Sequence, residues 1–319
     1  MDSNRLEFPE GFFQKPRREA TEEPLADISE PMQVSEEVLR GEKKLLLTTD
    51  PLVKLLSENR ESESDWIDQE RKDSNNISFW YPKIKDCGIA VPNTIIVPLS
   101  NDLYQASFQE RPDDGDKLFQ FVKNEVVPEM RKAGIALPFI KNGAFSNKFD
   151  FRDCVPFPNA YAIATAFMNI NYMSLCFETG GATEIAVRER IPYDEEKIPT
   201  IYNGLPLRAE FRVFYDFDVR KVLYSVNYWD WDYCFERICK NKTDEIIYKK
   251  WYLHINNQFH LYRKEVEKLV ETAMKNVDMT GKWSVDIMFH EETDRFWLID
   301  MATAERSAYW DEKRSQKGI

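Results

Sequence analysis

Trp283-Ser-Val-Asp286-Ile-Met-Phe-His290, the turn Glu291–Asp294 and Arg295-Phe-Trp-Leu-Ile-Asp300-Met301 decide how this chain is read. Both arms carry apolar residues at every second position, the pattern of a half-buried strand, and together they predict a hairpin. A pairing centred on Thr293 sets Val285, Ile287 and Phe289 opposite Met301, Ile299 and Trp297 on one apolar face. A one-residue slip would turn that whole set to the other side, which favours this register. The same register places Asp286 directly opposite Asp300 on the second face, with Cβ atoms about 4.5–5.5 Å apart. Two like charges at that spacing repel unless a cation lies between them. Magnesium, a hard ion that takes carboxylate oxygens and substrate phosphates, meets that need. The plainer reading is an exposed hairpin with two unrelated acids.

A second hairpin lies upstream. Arg208-Ala-Glu210-Phe-Arg212-Val-Phe-Tyr-Asp216 and Lys221-Val-Leu-Tyr-Ser-Val-Asn-Tyr-Trp229 flank a turn at Phe217–Arg220. That pairing sets Glu210 opposite Asn227 and Arg212 opposite Ser225, with Phe211, Val213 and Tyr215 on the reverse face. Arginine in that setting suits bidentate recognition of phosphate or carboxylate. An ordinary surface ion pair is the alternative.

Working outward, Gly88–Pro98 predicts a short strand, Asp116–Lys132 a helix interrupted at Pro128, and Leu137–Lys141 a strand running into the loop Asn142–Asp150. Asn159–Phe177 predicts a long apolar helix closed by Gly180-Gly181, Thr183–Ile191 a strand, and Gln258–Asn276 a helix between the two hairpins. There are no internal repeats, and the order of elements is a mixed α+β pattern rather than a doubly wound parallel sheet. Residues 1–75 differ in composition: acidic clusters at Glu22-Glu23, Glu36-Glu37 and Glu58 to Asp65, and few aromatics, predict a largely flexible segment with one short helix at Val38–Leu56.

Composition excludes several classes. The 319 residues carry a net charge of -12, which argues against general nucleic-acid binding. No apolar run approaches the roughly 20 residues of a spanning helix, and Met1–Phe13 is too polar for a signal peptide. Cys87, Cys154, Cys176, Cys234 and Cys239 are scattered without a CxxC, so they predict reduced packing thiols in a cytoplasmic protein.

These pieces together resemble the ATP-grasp superfamily over residues 76–311. Phe139-Ile-Lys141 and Asn142-Gly-Ala-Phe-Ser-Asn-Lys148 resemble its strand lysine and small-residue phosphate loop. No Walker A sequence exists in the chain. Ala186-Val-Arg-Glu-Arg-Ile-Pro192 resembles its hinge strand, Glu210-Phe-Arg212 its E-x-R strand, and Asp286 with Asp300 its metal carboxylates. The resemblance implies an α+β fold in which two lobes hold ATP between them, with a small N-terminal domain and an acidic tail. Its divisions would be 1–75, 76–135 for the N-terminal domain, 136–191 for the small lobe and 192–319 for the large lobe. Lys141 and Arg212 would contact phosphates as the catalytic cations. Backbone amides around Gly143–Ser146 would cover the phosphates, and Arg188, Glu189, Arg190 and Ile191 would hold adenine and ribose, with Glu210 beside them. Asp286 and Asp300 would bind Mg²⁺. The family's second metal ligand is followed two residues later by Asn; here Ala302 stands there, and Asn227 or Ser307 would have to substitute.

The activity so implied is ATP-dependent ligation of a carboxylate to an amine or thiol through an acyl phosphate, on an unknown carboxylate or peptide acceptor. The aromatic-acidic run Asn227–Tyr233 and Arg306 are the acceptor candidates, against a packing role for Trp229 and Trp231 and a surface role for Arg306. The alternative is an ATP-binding assembly chaperone or interaction protein without ligation. Within the superfamily, Glu210-Phe-Arg212 and the Trp-rich run are similar to the assembly factors of a eukaryotic translation initiation complex, and Trp80-Tyr-Pro is equally compatible with bacterial or viral members. A lysine-adenylating RNA ligase fits poorly, because Lys141-Asn-Gly-Ala144 lacks the glycine of a KxxG motif.

Overall fold

A computed structural model describes residues 60–108, 113–238 and 241–316. Two helices lead in, α1 (Arg60–Arg71) and α2 (Ile77–Ile84). The smaller lobe follows as β1 (Thr94–Pro98), α3 (Asp114–Phe121), α4 (Val127–Lys132), β2 (Pro138–Asn142), α5 (Ala160–Cys176) and β3 (Glu184–Glu189). Its antiparallel sheet runs β1-β3-β2 and packs Ile140, Ile185 and Val187 against Leu118, Val122, Ile163 and Phe167 of the helices. A π-helical turn at Val122–Val126 joins α3 to α4. Pro128, which has no amide to donate one turn back, explains why regular α-helix is interrupted there.

Two expected boundaries move. β1 lies in the stretch 76–135 read as a separate domain, yet its pairing with β3 gives it one sheet and one core with 136–191. α1 falls within the segment 1–75 but belongs to the compact unit Glu58–Ile319, with Ile67 buried beside Tyr104 and Ala182. Glu70 accepts from the Ala182 amide at 2.8 Å, which ties α1 to the residues leading into β3. The clusters Glu22-Glu23 and Glu36-Glu37, the helix at Val38–Leu56 and Cys239 lie outside the described residues. Ile67→Ala should therefore cost about 2–5 kcal/mol in denaturant unfolding, the range for emptying a buried aliphatic site. An unchanged midpoint would show that α1 is not part of the core.

The larger lobe comprises β4 (Thr200–Ile201), β5 (Leu205–Pro206), β6 (Glu210–Asp216), β7 (Lys221–Asn227), α6 (Trp231–Ile238), α7 (Lys242–Met274), β8 (Lys282–His290) and β9 (Arg295–Thr303). Its antiparallel sheet has the order β7-β6-β8-β9. Phe211, Val213, Tyr215, Val285 and Ile287 face α7 and pack on Phe259, Val266, Val270 and Met274. The long α7 starts well before the expected Gln258, where the Asn241 side chain accepts from the Thr243 amide and Asp244-Glu245 favour the helix N-terminus. Among the described residues no helix is long and apolar enough to cross a membrane.

The registers agree with the hairpin reading near the charges and differ beyond two bulges. Asp286 pairs with Asp300 and Val285 with Met301, but Ile287 pairs with Leu298 and Phe289 with Phe296. Ile299 is the extra residue, so Leu298 is buried in the core and Ile299 lines the opposite side. In the upstream hairpin Asp216 pairs with Lys221 as the turn requires, but an extra residue at Leu223 shifts the rest. Arg212 therefore faces Val226, and Asn227 faces Phe211, not Glu210.

Candidate functional site

Because β6, β8 and β9 are neighbours, Arg212, Asp286 and Asp300 form one row across the larger sheet. Glu210 and Met288 form the next row on the same face, by the two-residue alternation of strands. This face meets the smaller lobe across a cleft enclosing about 910 Å³, part of it open to solvent. Lys141, Ser146, Arg188, Glu189, Arg190, Ile191, Glu210, Asp286 and Asp300 all line it. Phe139, Phe151, Leu205, Pro206, Met288 and Ile299 supply apolar walls.

The charges in it are paired across strands and lobes. Arg212 grips Asp286 with both prongs, Nε to Oδ1 at 2.8 Å and Nη2 to Oδ2 at 2.6 Å. Lys141, almost fully buried, reaches from β2 to Asp300 Oδ1 at 2.9 Å, so a salt bridge joins the lobes. Burial works against ionisation of Asp300, but Lys141 and Arg188 outweigh it and hold its pKa below the ordinary carboxylate value. At Arg212 burial opposes the charge, yet Asp286 overrides it and raises its pKa. The bulge at Ile299 turns a carbonyl out of the ladder, and Arg188 donates to it across the cleft.

Glu210 is the exception to this pairing. Burial pushes its carboxyl up to about 7, against the pull of Lys148. An acid whose pKa rises on folding holds its proton longer in the native than in the unfolded chain. Its stabilising contribution is thus complete below about 4.5 and is lost as pH rises through about 7. Glu210→Gln should flatten the stability profile between those values, seen as unfolding midpoints that converge with the parent at low pH and exceed it at high pH. A profile unchanged by the substitution would mean the group is ordinarily ionised.

Several of the expected site groups have partners within the chain. The Gly143 amide donates to the Gly181 carbonyl at 2.7 Å, and those of Ala144 and Phe145 donate to Asn142 Oδ1, so these amides already have partners. Gly143 itself packs against Asn76 and Glu184, not along the cleft wall; a Cβ there would lie 2.5 Å from Asn76 Oδ1. Arg212 sits behind Asp286 and does not line the cleft. Neither proposed substitute for the missing Asn is at hand: Asn227 binds Asn256 and the Trp229 amide, and Ser307 binds Ser284 and Thr303. Among the acceptor candidates, Trp229 is buried in the core, Trp231 stacks on Tyr248, and Arg306 pairs with Asp73.

Lys148, Arg208 and Met288 were missed. Lys148 lines the cleft, contacts the Tyr228 hydroxyl and has its ammonium 3.9 Å from the centre of that ring. Arg208 binds Glu292 at 2.7 Å and the Pro192 carbonyl at 3.0 Å, which fixes the chain just past the hinge. Met288 and Arg208 stand two residues from Asp286 and Glu210, so strand alternation alone places them on the cleft side. Lys148 carries no such periodic signal.

No family model matches the chain, and no curated protein matches it in sequence. Solved structures align with about three quarters of the chain, each with a TM-score below 0.5. C-terminally truncated Cdc123 from Schizosaccharomyces pombe is 12% identical, over 76% of this chain and 88% of that one, with a TM-score of 0.48. The biotin carboxylase domain of Hydrogenobacter thermophilus 2-oxoglutarate carboxylase, solved with MgADP, ADP and bicarbonate, is 10% identical over 73% of this chain and 40% of its own, with a TM-score of 0.36. The ATP-grasp ligase PsnB, complexed with a minimal precursor, is 10% identical over 77% of this chain and 57% of its own, with a TM-score of 0.30.

Proposed function

We propose that the chain binds ATP with magnesium in this cleft and uses it to activate a carboxylate for attack by an amine or thiol. The observation that carries the reading is the convergence of Lys141, Lys148, Arg188, Asp286 and Asp300 from both lobes on one cleft with apolar walls. Cations of this kind suit a polyphosphate, and the walls by Leu205, Pro206 and Met288 suit a base. The amides of Glu189 and Arg190 are spent on the Asn93 and Leu137 carbonyls. The Ile191 amide and the Glu189 carbonyl are then the hinge groups for the edge of the adenine.

The two aspartates fit a magnesium ion. Asp300 has a side chain 39% exposed and engages Lys141 through Oδ1 alone, and Asp286 stands opposite it in register. Among the described residues no group of three or more His, Cys, Asp or Glu gathers, but magnesium keeps several waters and needs only one or two carboxylates plus phosphate. When bound, the ion would neutralise phosphate charge. Lys141 and Lys148 would orient the phosphates and stabilise charge as the terminal group moves to an acceptor carboxylate. Arg212 would hold Asp286 in position, and the apolar walls would limit water. The displaced phosphate would leave as the amine or thiol attacks the acyl carbon.

ATP binding without ligation is the second reading, favoured by Ala302 where the superfamily keeps its Asn. Magnesium-dependent ADP release, measured with panels of amino acids and peptides, separates the two. Release stimulated by an acceptor supports ligation; saturable ATP binding with no release across the panel supports the binding protein. No binding of ATP would remove both.

A further inference from the structure

The two lysines of the cleft are held in different ways. Lys141 is bound to a carboxylate, that of Asp300. Lys148 makes no salt bridge among the described residues. Its ammonium instead meets the hydroxyl of Tyr228 and lies 3.9 Å from the centre of that ring. The lysine comes from the loop after β2 of the smaller lobe, the tyrosine from the turn that ends β7 of the larger. Lys148 lines the cleft and Tyr228 does not. The tyrosine is itself well fixed. β7 ends at Asn227, whose side chain accepts from the Trp229 amide at 3.0 Å and turns the chain there. The Tyr228 amide donates to the Glu210 carbonyl at 2.9 Å, and the Tyr228 carbonyl accepts from the Tyr309 hydroxyl at 2.7 Å. A second cation sits by the same ring: the Arg212 guanidinium, 4.9 Å from its centre and gripped in turn by Asp286.

We propose that Tyr228 is a positioning residue: its ring seats the Lys148 ammonium so that the lysine's remaining donors take phosphate oxygens of the nucleotide. The inference rests on the nucleotide reading. A lysine is a point charge on a flexible stem, and left alone it would spread over many rotamers. An aromatic partner restricts it differently from a carboxylate. The ring face attracts the ammonium without cancelling its charge, and the hydroxyl occupies only one of its donors. Burial works against the charge, yet Tyr228 and Glu210 outweigh it and hold the Lys148 pKa above the ordinary lysine value. The Arg212–Asp286 pair and the backbone bonds of Tyr228 thus fix, through one ring, a cation carried on a loop of the opposite lobe.

The test compares binding of a non-hydrolysable ATP analogue and of adenosine to the full chain, the weaker ligand followed by ligand-observed NMR. Tyr228→Leu should weaken the analogue about two- to thirtyfold, the range for losing a cation–π contact, and leave adenosine unchanged. Tyr228→Phe, which keeps the ring but loses the hydroxyl contact, should lose less. In a Lys148→Met background Tyr228→Leu should cause no further loss, since the group it positions is gone. Should Tyr228→Leu fail to fold, the same cycle is read with Tyr228→Phe, whose smaller loss must likewise vanish in Lys148→Met. Equal losses for the analogue and adenosine, or the same loss with and without Lys148, would reduce Tyr228 to a support of the fold and overturn the proposal. A parent that binds the analogue no better than Tyr228→Leu does would overturn this proposal alone, whereas a parent that binds neither ligand would remove the nucleotide reading with it.

Discussion

Asp286→Asn is expected to destabilise the fold by about 3–5 kcal/mol, the cost of leaving one member of a buried ion pair without its partner. Arg212 and Asp286 have side chains 11% and 8% exposed and meet in a bidentate pair, so the substitution strands a guanidinium inside the larger lobe. Removing both charges, with Arg212→Met and Asp286→Leu together, should recover most of that loss, because apolar residues of similar volume no longer need each other. Denaturant unfolding of the three variants decides the matter. If Asp286→Asn is as stable as the parent, the pair is not the support described here. Asp300 contrasts with it: at 39% exposure its charge is partly solvated, so Asp300→Asn should cost less than Asp286→Asn, although it leaves the buried Lys141 ammonium without this partner. The equivalence of the two acids suggested by the hairpin alone therefore breaks down, since Asp286 is held in a buried ion pair and Asp300 is partly exposed in the cleft.

Gly181→Ala carries the other large effect. Gly181 has φ +87°, and a Cβ there would lie 2.2 Å from the Ala144 amide nitrogen, which cannot move aside as a flexible side chain would. A non-glycine residue held in such a backbone region costs about 1–3 kcal/mol, and forced overpacking about as much again. Since the Gly143 amide donates to the Gly181 carbonyl, the strain passes to the loop after β2 and so to the base of Lys141. Loss of several kcal/mol in unfolding, together with weaker ATP binding in whatever fraction folds, is the expected outcome. Gly134→Ala, also at positive φ but with nothing within 4 Å of its Cβ, serves as the comparison and should cost only the backbone part. Equal losses at the two glycines would show that the contact with Ala144 does not matter.

What the sequence made legible was local chemistry with a short period. Alternation along three strands agrees with Glu210, Asp286 and Asp300 sharing the cleft side, and the Asp286–Asp300 pairing matches the register read from the hairpin. It missed the register on the far side of Leu223 and on the turn side of Ile299, because a bulge leaves no mark on an apolar-polar pattern that still alternates on each side of it. It also failed where a pairing is long-range: β1 joins β3 across 90 residues of chain, so nothing local tied 76–135 to the smaller sheet. Arg212 and the amides of Gly143–Phe145 have partners that the sequence does not announce, for one reason. The sequence displays donors but not the acceptors that fold in beside them, here Asp286, Gly181 and Asn142. Lys148 escaped notice because its place in the cleft depends on the path of the loop, which no periodicity encodes.

The most direct test of the nucleotide reading is calorimetric titration of the chain with a non-hydrolysable ATP analogue, with and without magnesium, in the parent and in Asp300→Asn. Saturable binding that magnesium tightens by about tenfold or more in the parent, and that loses this dependence in the folded variant, is the predicted result. An absence of binding, or an affinity indifferent both to magnesium and to the substitution, would contradict it.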